Sequence, residues 1–380
     1  MKIVADENIP FLREAFGDFG EIVTLSGRAI DHEALQDASM LLVRSVTAVN
    51  ESLLAGTPVK FVATATIGTD HIDIGYLERE NIGFASAPGS NADSVAEYVI
   101  AALMNLFRQK GISRADKTIG IIGCGNVGSR VFKRAQTLGM RCLVCDPPKK
   151  RISGSDFFRP RAEVLAESDI VTVHVPLTDE GEDATFHMVN AEFLSALKPG
   201  AILINTSRGK VHEEKALRAY SDKLGGVILD VWEHEPRVSP EMIARADIAT
   251  PHIAGYSYDG KVRGTAMIYQ AACAFFFRES RWNWRETIAL ERGKAIDISH
   301  SSEPVADAVL GAYPIGEDDA RMRDLIQLDT TRRAAAFDDL RKRYPRRLEF
   351  SHFAVQAEAL GESDRQILQA LGFDCRAAAS

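Results

Sequence analysis

One stretch constrains this chain more than any other. Thr118-Ile119-Gly120-Ile121-Ile122 is a continuous apolar run, as buried parallel strands are. Gly123-Cys124-Gly125-Asn126-Val127-Gly128 follows at once, ahead of the helix-like run Ser129 to Leu138. Strand, glycine turn and helix in that order fit G-x-G-x-x-G. The glycines permit a tight turn and close approach of a pyrophosphate, whose charge a helix N-terminus stabilises. Gly123, Gly125 and Gly128, with the backbone amides of Asn126 and Val127, are therefore candidate dinucleotide ligands. Asp146 ends the next β-like run, about 20 residues on, where a carboxylate can bond the adenosine ribose hydroxyls and repel a 2′-phosphate. NAD is expected rather than NADP, and Lys149, Lys150 and Arg151 read as a solvated face.

Around this motif the chain alternates. Lys2 to Ala5, Met40 to Val43, Phe61 to Thr64, Cys142 to Cys145, Ile170 to Val173, Ala201 to Ile204 and Gly226 to Leu229 are short apolar runs with helical segments between them. Strict β/α alternation implies parallel sheets and a doubly wound α/β architecture. The 380 residues exceed what one core organises, since cores stop growing at roughly 250–300 residues, so two or three domains are expected. After about Arg285 the texture becomes charged and helix-prone, as in Asp318 to Leu328 and Thr331 to Lys342. Arg346 to Phe350 is expected as a strand, and the whole stretch as a separate small α+β unit.

A net charge of −8 speaks against a nucleic-acid partner, which needs a concentrated basic face. The N-terminal MKIVADENIP has no apolar signal core, and the apolar run Ala271 to Phe277 is too short for a membrane span, so no membrane partner is expected. Five cysteines, an odd number in a long chain, fit a reducing cytoplasm. Cys142 and Cys145 form a C-x-x-C, but on a strand residues three apart point to opposite faces. Two buried thiols are expected there, and no metal.

Three later groups carry chemistry. Asn205-Thr206-Ser207-Arg208-Gly209 follows an apolar strand, so Arg208 projects at a carboxyl edge, where such sheets bind ligands. A guanidinium there can grip a carboxylate bidentately. Asp230-Val231-Trp232-Glu233-His234-Glu235-Pro236 also follows a strand, and Pro251-His252-Ile253-Ala254-Gly255-Tyr256 follows Ile248-Ala249-Thr250. A histidine with a carboxylate beside it suits general acid/base work. Taken singly, Arg208, Glu235 and His252 also read as a surface cation, a turn residue and a structural histidine.

Their order and surroundings resemble the D-isomer-specific 2-hydroxyacid dehydrogenases. The strings that carry the resemblance are Glu167 to Leu177 (ESDIVTVHVPL), Leu197 to Gly209 (LKPGAILINTSRG), and Leu229 to Trp232 with Glu235-Pro236. It covers roughly residues 1–285. The resemblance implies Arg208, Glu235 and His252 as the catalytic trio, and cofactor contacts at Val175, Thr206, Ser207, Arg208, Asp230 and Gly255. It implies substrate contacts at Ser45 and Thr66, with Tyr256 and Arg44 as further candidates, and leaves His174 without a catalytic part. It also implies a flavodoxin-like substrate domain split between residues 1–92 and 255–285, a Rossmann-type NAD domain at 93–254, and an active site in the interdomain cleft.

Tyr256 after the histidine, and a surplus from 286 to 380, point within the family to members with an extra C-terminal dimerisation domain. Those oxidise a phosphorylated four-carbon 2-hydroxy acid for pyridoxal phosphate biosynthesis, so a homodimer and a phosphorylated substrate are expected. Arg346 and Arg347 are candidates for a phosphate clamp offered to a partner subunit. Two alternatives stay open: the same chemistry on 3-phosphoglycerate or another D-2-hydroxy acid, and an NAD-sensing, co-repressor-like binding protein.

Overall fold

The computed structural model describes residues 1–357 and 360–377. The chain forms two compact units, one of Met1–Asn91 with Ser257–Glu291, the other of Ala92–Tyr256 with the chain from Arg292 onward.

The first unit is built on five parallel strands: β1 (Lys2–Asp6), β2 (Glu21–Leu25), β3 (Met40–Val43), β4 (Phe61–Thr64) and β5 (Gly83–Ala85). Their order, β2-β1-β3-β4-β5, is the flavodoxin-like arrangement. β3 and β4 are buried at every residue, which is why they read as unbroken apolar runs rather than as alternating ones. Ile3, Met40 and Phe61 pack with Ile268 and Tyr269 of the helix Tyr258–Phe275. Their neighbours Val4, Leu41 and Val62 turn the other way, toward Leu54 and Leu77. Period-two alternation thus divides a uniformly apolar strand between two cores.

The second unit holds six parallel strands: β6 (Thr118–Ile122), β7 (Arg141–Cys145), β8 (Ile170–Val173), β9 (Ile202–Asn205), β10 (Gly226–Leu229) and β11 (Ile248–Ala249). They lie in the order β11-β10-β9-β8-β6-β7. The chain leaves β6 toward β7 on one side and returns to β8 on the other, so the crevice between β6 and β8 is the topological switch point where such sheets bind ligands. Cys142 packs with the core on one face of this sheet and Cys145 belongs to the core on the other. Burial pushes both thiols up to about 11.

The chain beyond Arg292 adds a small parallel sheet of β12 (Ile296–Asp297), β13 (Ala354–Ala357) and β14 (Asp374–Ala377). This segment shares its core with the dinucleotide fold instead of burying its own. Its helix Pro304–Ala312 packs on Ala92–Lys110, and Glu362–Leu371 packs on Asn126–Thr137. Val309, Phe350 and Leu368 join the same apolar cluster as Tyr98 and Leu103. Phe337 and Met322 join the cluster on the opposite face.

Arg346 to Phe350 differs from expectation. It forms no strand; apart from a single bridge at Arg347 the backbone runs as a loop into a 3-10 turn, Phe350–His352. Nor does Arg347 offer a cation to a partner, being 7% exposed. Its Nη2 donates to the carbonyls of Ser94 (3.3 Å) and Ala254 (2.6 Å), and its guanidinium lies 4.4 Å over the Tyr313 ring. Its alternate neighbour Glu349 is buried too, accepting from the Ser94 hydroxyl at 2.9 Å. The Phe350 amide donates to Glu97 Oε1 at 3.1 Å. The Glu97 carboxyl thus takes up the Phe350 amide that a ladder could have used. No helix of the described residues is long and apolar enough to cross a membrane.

Candidate active site

The glycine turn after β6 has the shape its sequence predicts. Gly123 has φ +88°, and a Cβ there would sit 2.4 Å from the His174 carbonyl oxygen, so only glycine fits between the ends of β6 and β8. A Cβ on Gly128 would meet the Gly123 carbonyl at 1.9 Å, because the helix Asn126–Thr137 rests directly on the turn. Gly125 is the reverse case: a Cβ would touch nothing within 4 Å. Space therefore lies open over Gly125, beside the exposed Asn126 and the part-exposed Val127 that begin the helix. That cradle fits a pyrophosphate. Val175 stands next to it, its Cγ1 being 2.9 Å from the Cβ position of Gly123.

Asp146 follows β7, partly exposed. Its Oδ1 accepts from the Lys149 amide at 3.0 Å and its Oδ2 from the Cys124 amide at 2.9 Å, which fixes the carboxylate beside the turn. The neighbouring cations are committed locally. The Lys149 ammonium donates to the Cys124 carbonyl, Lys150 pairs with Asp156 at 2.9 Å, and Arg151 pairs with Asp183. An anionic acceptor at this position suits a free ribose diol and disfavours a 2′-phosphate.

Arg208, Glu235 and His252 follow β9, β10 and β11, three neighbouring strands in register through Asn205, Leu229 and Ala249. The Arg208 loop is organised by Asn205, whose Nδ2 donates to the Arg208 carbonyl (3.1 Å) while its Oδ1 accepts from the amide (3.0 Å) and hydroxyl (2.8 Å) of Ser207. Ser207 is thus used inside its own turn. A Cβ on Gly209 would fall 1.8 Å from the Trp232 carbonyl, so the Arg208 and Glu235 segments touch backbone to backbone.

His252 Nδ1 lies 2.8 Å from Glu235 Oε2, and Glu235 Oε1 accepts from the Trp232 amide at 2.8 Å. Burial alone would raise the Glu235 pKa, but the adjacent imidazole, the hydrogen bond to it and the charge of Arg341 outweigh this and hold the carboxyl below its ordinary range. An ionised Glu235 only accepts, so the proton of neutral His252 sits on Nδ1 and Nε2 presents a lone pair.

The histidine loop is held in a demanding conformation. His252 has φ 57°, the left-handed region that L-residues seldom occupy. Asp230 stabilises it: the carbonyl accepts from the His252 amide (2.7 Å), Oδ1 from the Thr250 hydroxyl (2.6 Å) and the Ile253 amide (2.7 Å), and Oδ2 from the Ala254 amide (2.9 Å). Since the Thr250 hydroxyl donates to Asp230, the Tyr98 hydroxyl donates to Thr250 in turn, at 2.7 Å. Asp230, expected as a cofactor contact, is 1% exposed, and its carboxylate serves the loop. Gly255 and Tyr256 end the loop partly exposed.

His174 remains structural. Its ring nitrogens lie 2.9 Å from Thr172 Oγ1 and 3.3 Å from Thr206 Oγ1, and burial pushes its pKa down to about 3. In the first unit, Ser45 is exposed and Arg44 partly exposed after β3. Thr66 spends its hydroxyl proton on the Gly68 carbonyl (3.2 Å) within its own loop. The residue that sequence reading missed is Arg341. Its Nη2 donates to the Tyr256 hydroxyl at 3.3 Å, from a helix, Thr330–Lys342, that no local motif marks as part of a site.

A glycine cradle at the switch point and an arginine, glutamate and histidine at adjoining strand ends belong to the NAD-dependent D-2-hydroxyacid dehydrogenases. The sequence profile of the D-isomer specific 2-hydroxyacid dehydrogenase NAD binding domain matches residues 98–254, and that of a domain of unknown function (DUF3410) matches residues 292–372. The erythronate-4-phosphate dehydrogenase of Salinibacter ruber is 46% identical over 379 residues, covering 96% of each chain, and this chain belongs to that family. Among solved structures, the D-lactate dehydrogenase of Aquifex aeolicus, complexed with NAD and lactic acid, shares 28% identity with a TM-score of 0.61, covering 73% of this chain and 96% of its own. The NAD-bound 3-phosphoglycerate dehydrogenase of Entamoeba histolytica shares 28% with a TM-score of 0.62, covering 74% and 98%.

Proposed function

We propose that this protein oxidises 4-phospho-D-erythronate at C2, with NAD, to (R)-3-hydroxy-2-oxo-4-phosphooxybutanoate in pyridoxal phosphate biosynthesis. The observation that carries the chemistry is the His252–Glu235 pair at 2.8 Å, set beside the Arg208 loop. The substrate rests on the near full-length likeness to the Salinibacter ruber enzyme. Gly123, Gly125, Asn126, Val127, Gly128, Asp146, Val175, Thr206 and Gly255 hold the cofactor, which supplies the acceptor for the hydrogen and electron pair leaving C2.

His252 Nε2 takes the C2 hydroxyl proton as general base, and ionised Glu235 stabilises the imidazolium that results. Arg208 grips the C1 carboxylate and steadies charge on the C2 oxygen as the carbonyl forms. Tyr256, Ser45, Thr66 and Arg44 are the remaining proposed substrate contacts. The enzyme works as a cytoplasmic homodimer, a reading supported by five cysteines that are all free thiols and by the C-terminal segment that the family adds to the dehydrogenase fold.

The test is NADH formation with 4-phosphoerythronate, 3-phosphoglycerate, glycerate and lactate side by side, a 2-oxo acid being present to reoxidise the cofactor. A preference for 4-phosphoerythronate is expected. Preference for an unphosphorylated acid overturns the substrate, and no turnover of any of the four overturns the enzyme. Sedimentation of the purified chain tests the dimer.

A further inference from the structure

The C-terminal segment reaches the histidine loop at two points. Arg347 donates to the Ala254 carbonyl at 2.6 Å, and Arg341 to the Tyr256 hydroxyl at 3.3 Å. The two cations are not equivalent. Arg347 has the fuller set of partners, two carbonyls, the Tyr313 face and the carboxyl of Glu97 nearby, although its Nη1 is also buried without a hydrogen bond. Arg341 has one hydrogen bond, to the Tyr256 hydroxyl, and no ion pair among the described residues. Its guanidinium carbon stands 5.9 Å over the rings of both Tyr256 and Phe337, and its Nε is buried with no hydrogen-bond partner. A cation drawn out of water without a counter-charge is costly, and such groups are normally paired. The fields of Glu235 and Asp338 reach it, but neither pairs with it, and both oxygens of Glu235 are already engaged, by His252 and by the Trp232 amide.

Strand order places this cation relative to the catalytic loops. β10 lies between β9 and β11, so Arg208 and the His252–Tyr256 loop stand on opposite sides of the Glu235 segment. Arg341 joins the Tyr256 side. A 2-hydroxy acid with its C1 carboxylate on Arg208 and its C2 hydroxyl on His252 can therefore extend its far end to the side where Arg341 stands.

We propose that Arg341 is the specificity-determining residue for the phosphate of the substrate, a cation delivered to the active site by the C-terminal segment of the same chain. The assignment rests on the substrate proposed above. It gives that segment, matched by a domain of unknown function, a part in recognition as well as in packing. A planar guanidinium can hold two phosphate oxygens at once, which the missing partner at Nε leaves room for.

The experiment compares kcat/KM for 4-phosphoerythronate and for unphosphorylated erythronate in wild type, Arg341→Met and Arg341→Lys. The wild-type preference for the phosphorylated acid should collapse by about 10²-fold in Arg341→Met, as when one partner of a hydrogen-bonded charge pair is removed, and return in part with lysine. Calorimetric titration of 4-phosphoerythronate into the NADH-loaded enzyme should show the same loss of affinity. Equal losses on both substrates, leaving the preference ratio intact, overturn the assignment. If Arg341→Met does not fold, the ratio measured for Arg341→Lys and Arg341→Gln decides, with thermal unfolding as the check. A wild type that favours erythronate overturns the proposed substrate itself, a result distinct from failure of Arg341 alone.

Discussion

The Thr250 hydroxyl donates to the Asp230 carboxylate at 2.6 Å, with neither residue more than 1% exposed. This buried contact, two residues before His252, begins the set of hydrogen bonds that turns the histidine loop into its left-handed conformation. The buried carboxylate that follows β10 is thus a builder of the site.

Asp230→Asn should therefore damage both stability and turnover. An amide keeps one acceptor and sets an N–H against a loop amide that needs one, costing roughly 1–3 kcal/mol for the unsatisfied pair. Chemical denaturation and kcat on the same preparation check this. A variant with lowered kcat and unchanged stability would mean that Asp230 touches the ligands after all.

His252→Ala should lower kcat by roughly 10²-fold or more, and Glu235→Gln by a comparable factor. Glu235 is held below the ordinary carboxylate range, so its charge is present through neutral pH. Without that charge the imidazolium loses support, and the acidic limb of kcat/KM for oxidation should move to lower pH. A limb that stays in place in Glu235→Gln would show that the carboxylate does not act through the histidine.

At the cofactor cradle, Asp146→Ser should narrow the preference for NADH over NADPH by weakening the first and admitting the second. Dissociation constants from nucleotide fluorescence measure it. Unchanged NADH affinity would remove Asp146 from the ribose site and leave it with its bonds to Cys124 and Lys149.

Glu97 is a buried carboxyl pushed well above its ordinary value by burial first and by the Glu349 carboxylate second, against the opposing charges of Arg134 and Arg347. The folded state then holds a proton that the unfolded chain releases. Stability accordingly falls as pH rises from the ordinary glutamate range toward the raised value. Glu97→Gln, which keeps an acceptor for the Phe350 amide, should flatten the fall of Tm across that interval and raise Tm near neutrality. Identical slopes in the two proteins would refute it.

Much of this was legible in local sequence because it is governed by local rules. The glycine turn at Gly123 to Gly128 obeys sterics within a few residues, and parallel strands such as Met40–Val43 announce themselves as unbroken apolar runs. Arg208, Glu235 and His252 each follow a strand, so their placement at one sheet edge follows once the strands are parallel. Arg341 and Arg347 obey no such rule. Their partners lie 85 and 93 residues away, and what brings them there is burial of Phe337 and Phe350 on the NAD unit's cores. The expected strand at Arg346 to Phe350 failed for the same reason. Alternation in that stretch reflects Arg347 and Glu349 turned inward to meet other buried groups, not the pleat of a sheet.

The bond from Arg347 to Ala254 bears on how the enzyme is made. A ribosome has joined Arg208, Glu235 and His252 long before it reaches Arg347, so a growing chain holds its reactive groups, and the Asp230 bonds that turn their loop, while the contact behind Ala254 is still missing. Only when the last helices emerge can the loop be closed from behind. Emergence of the tail is thus the step that completes the packing behind the histidine loop.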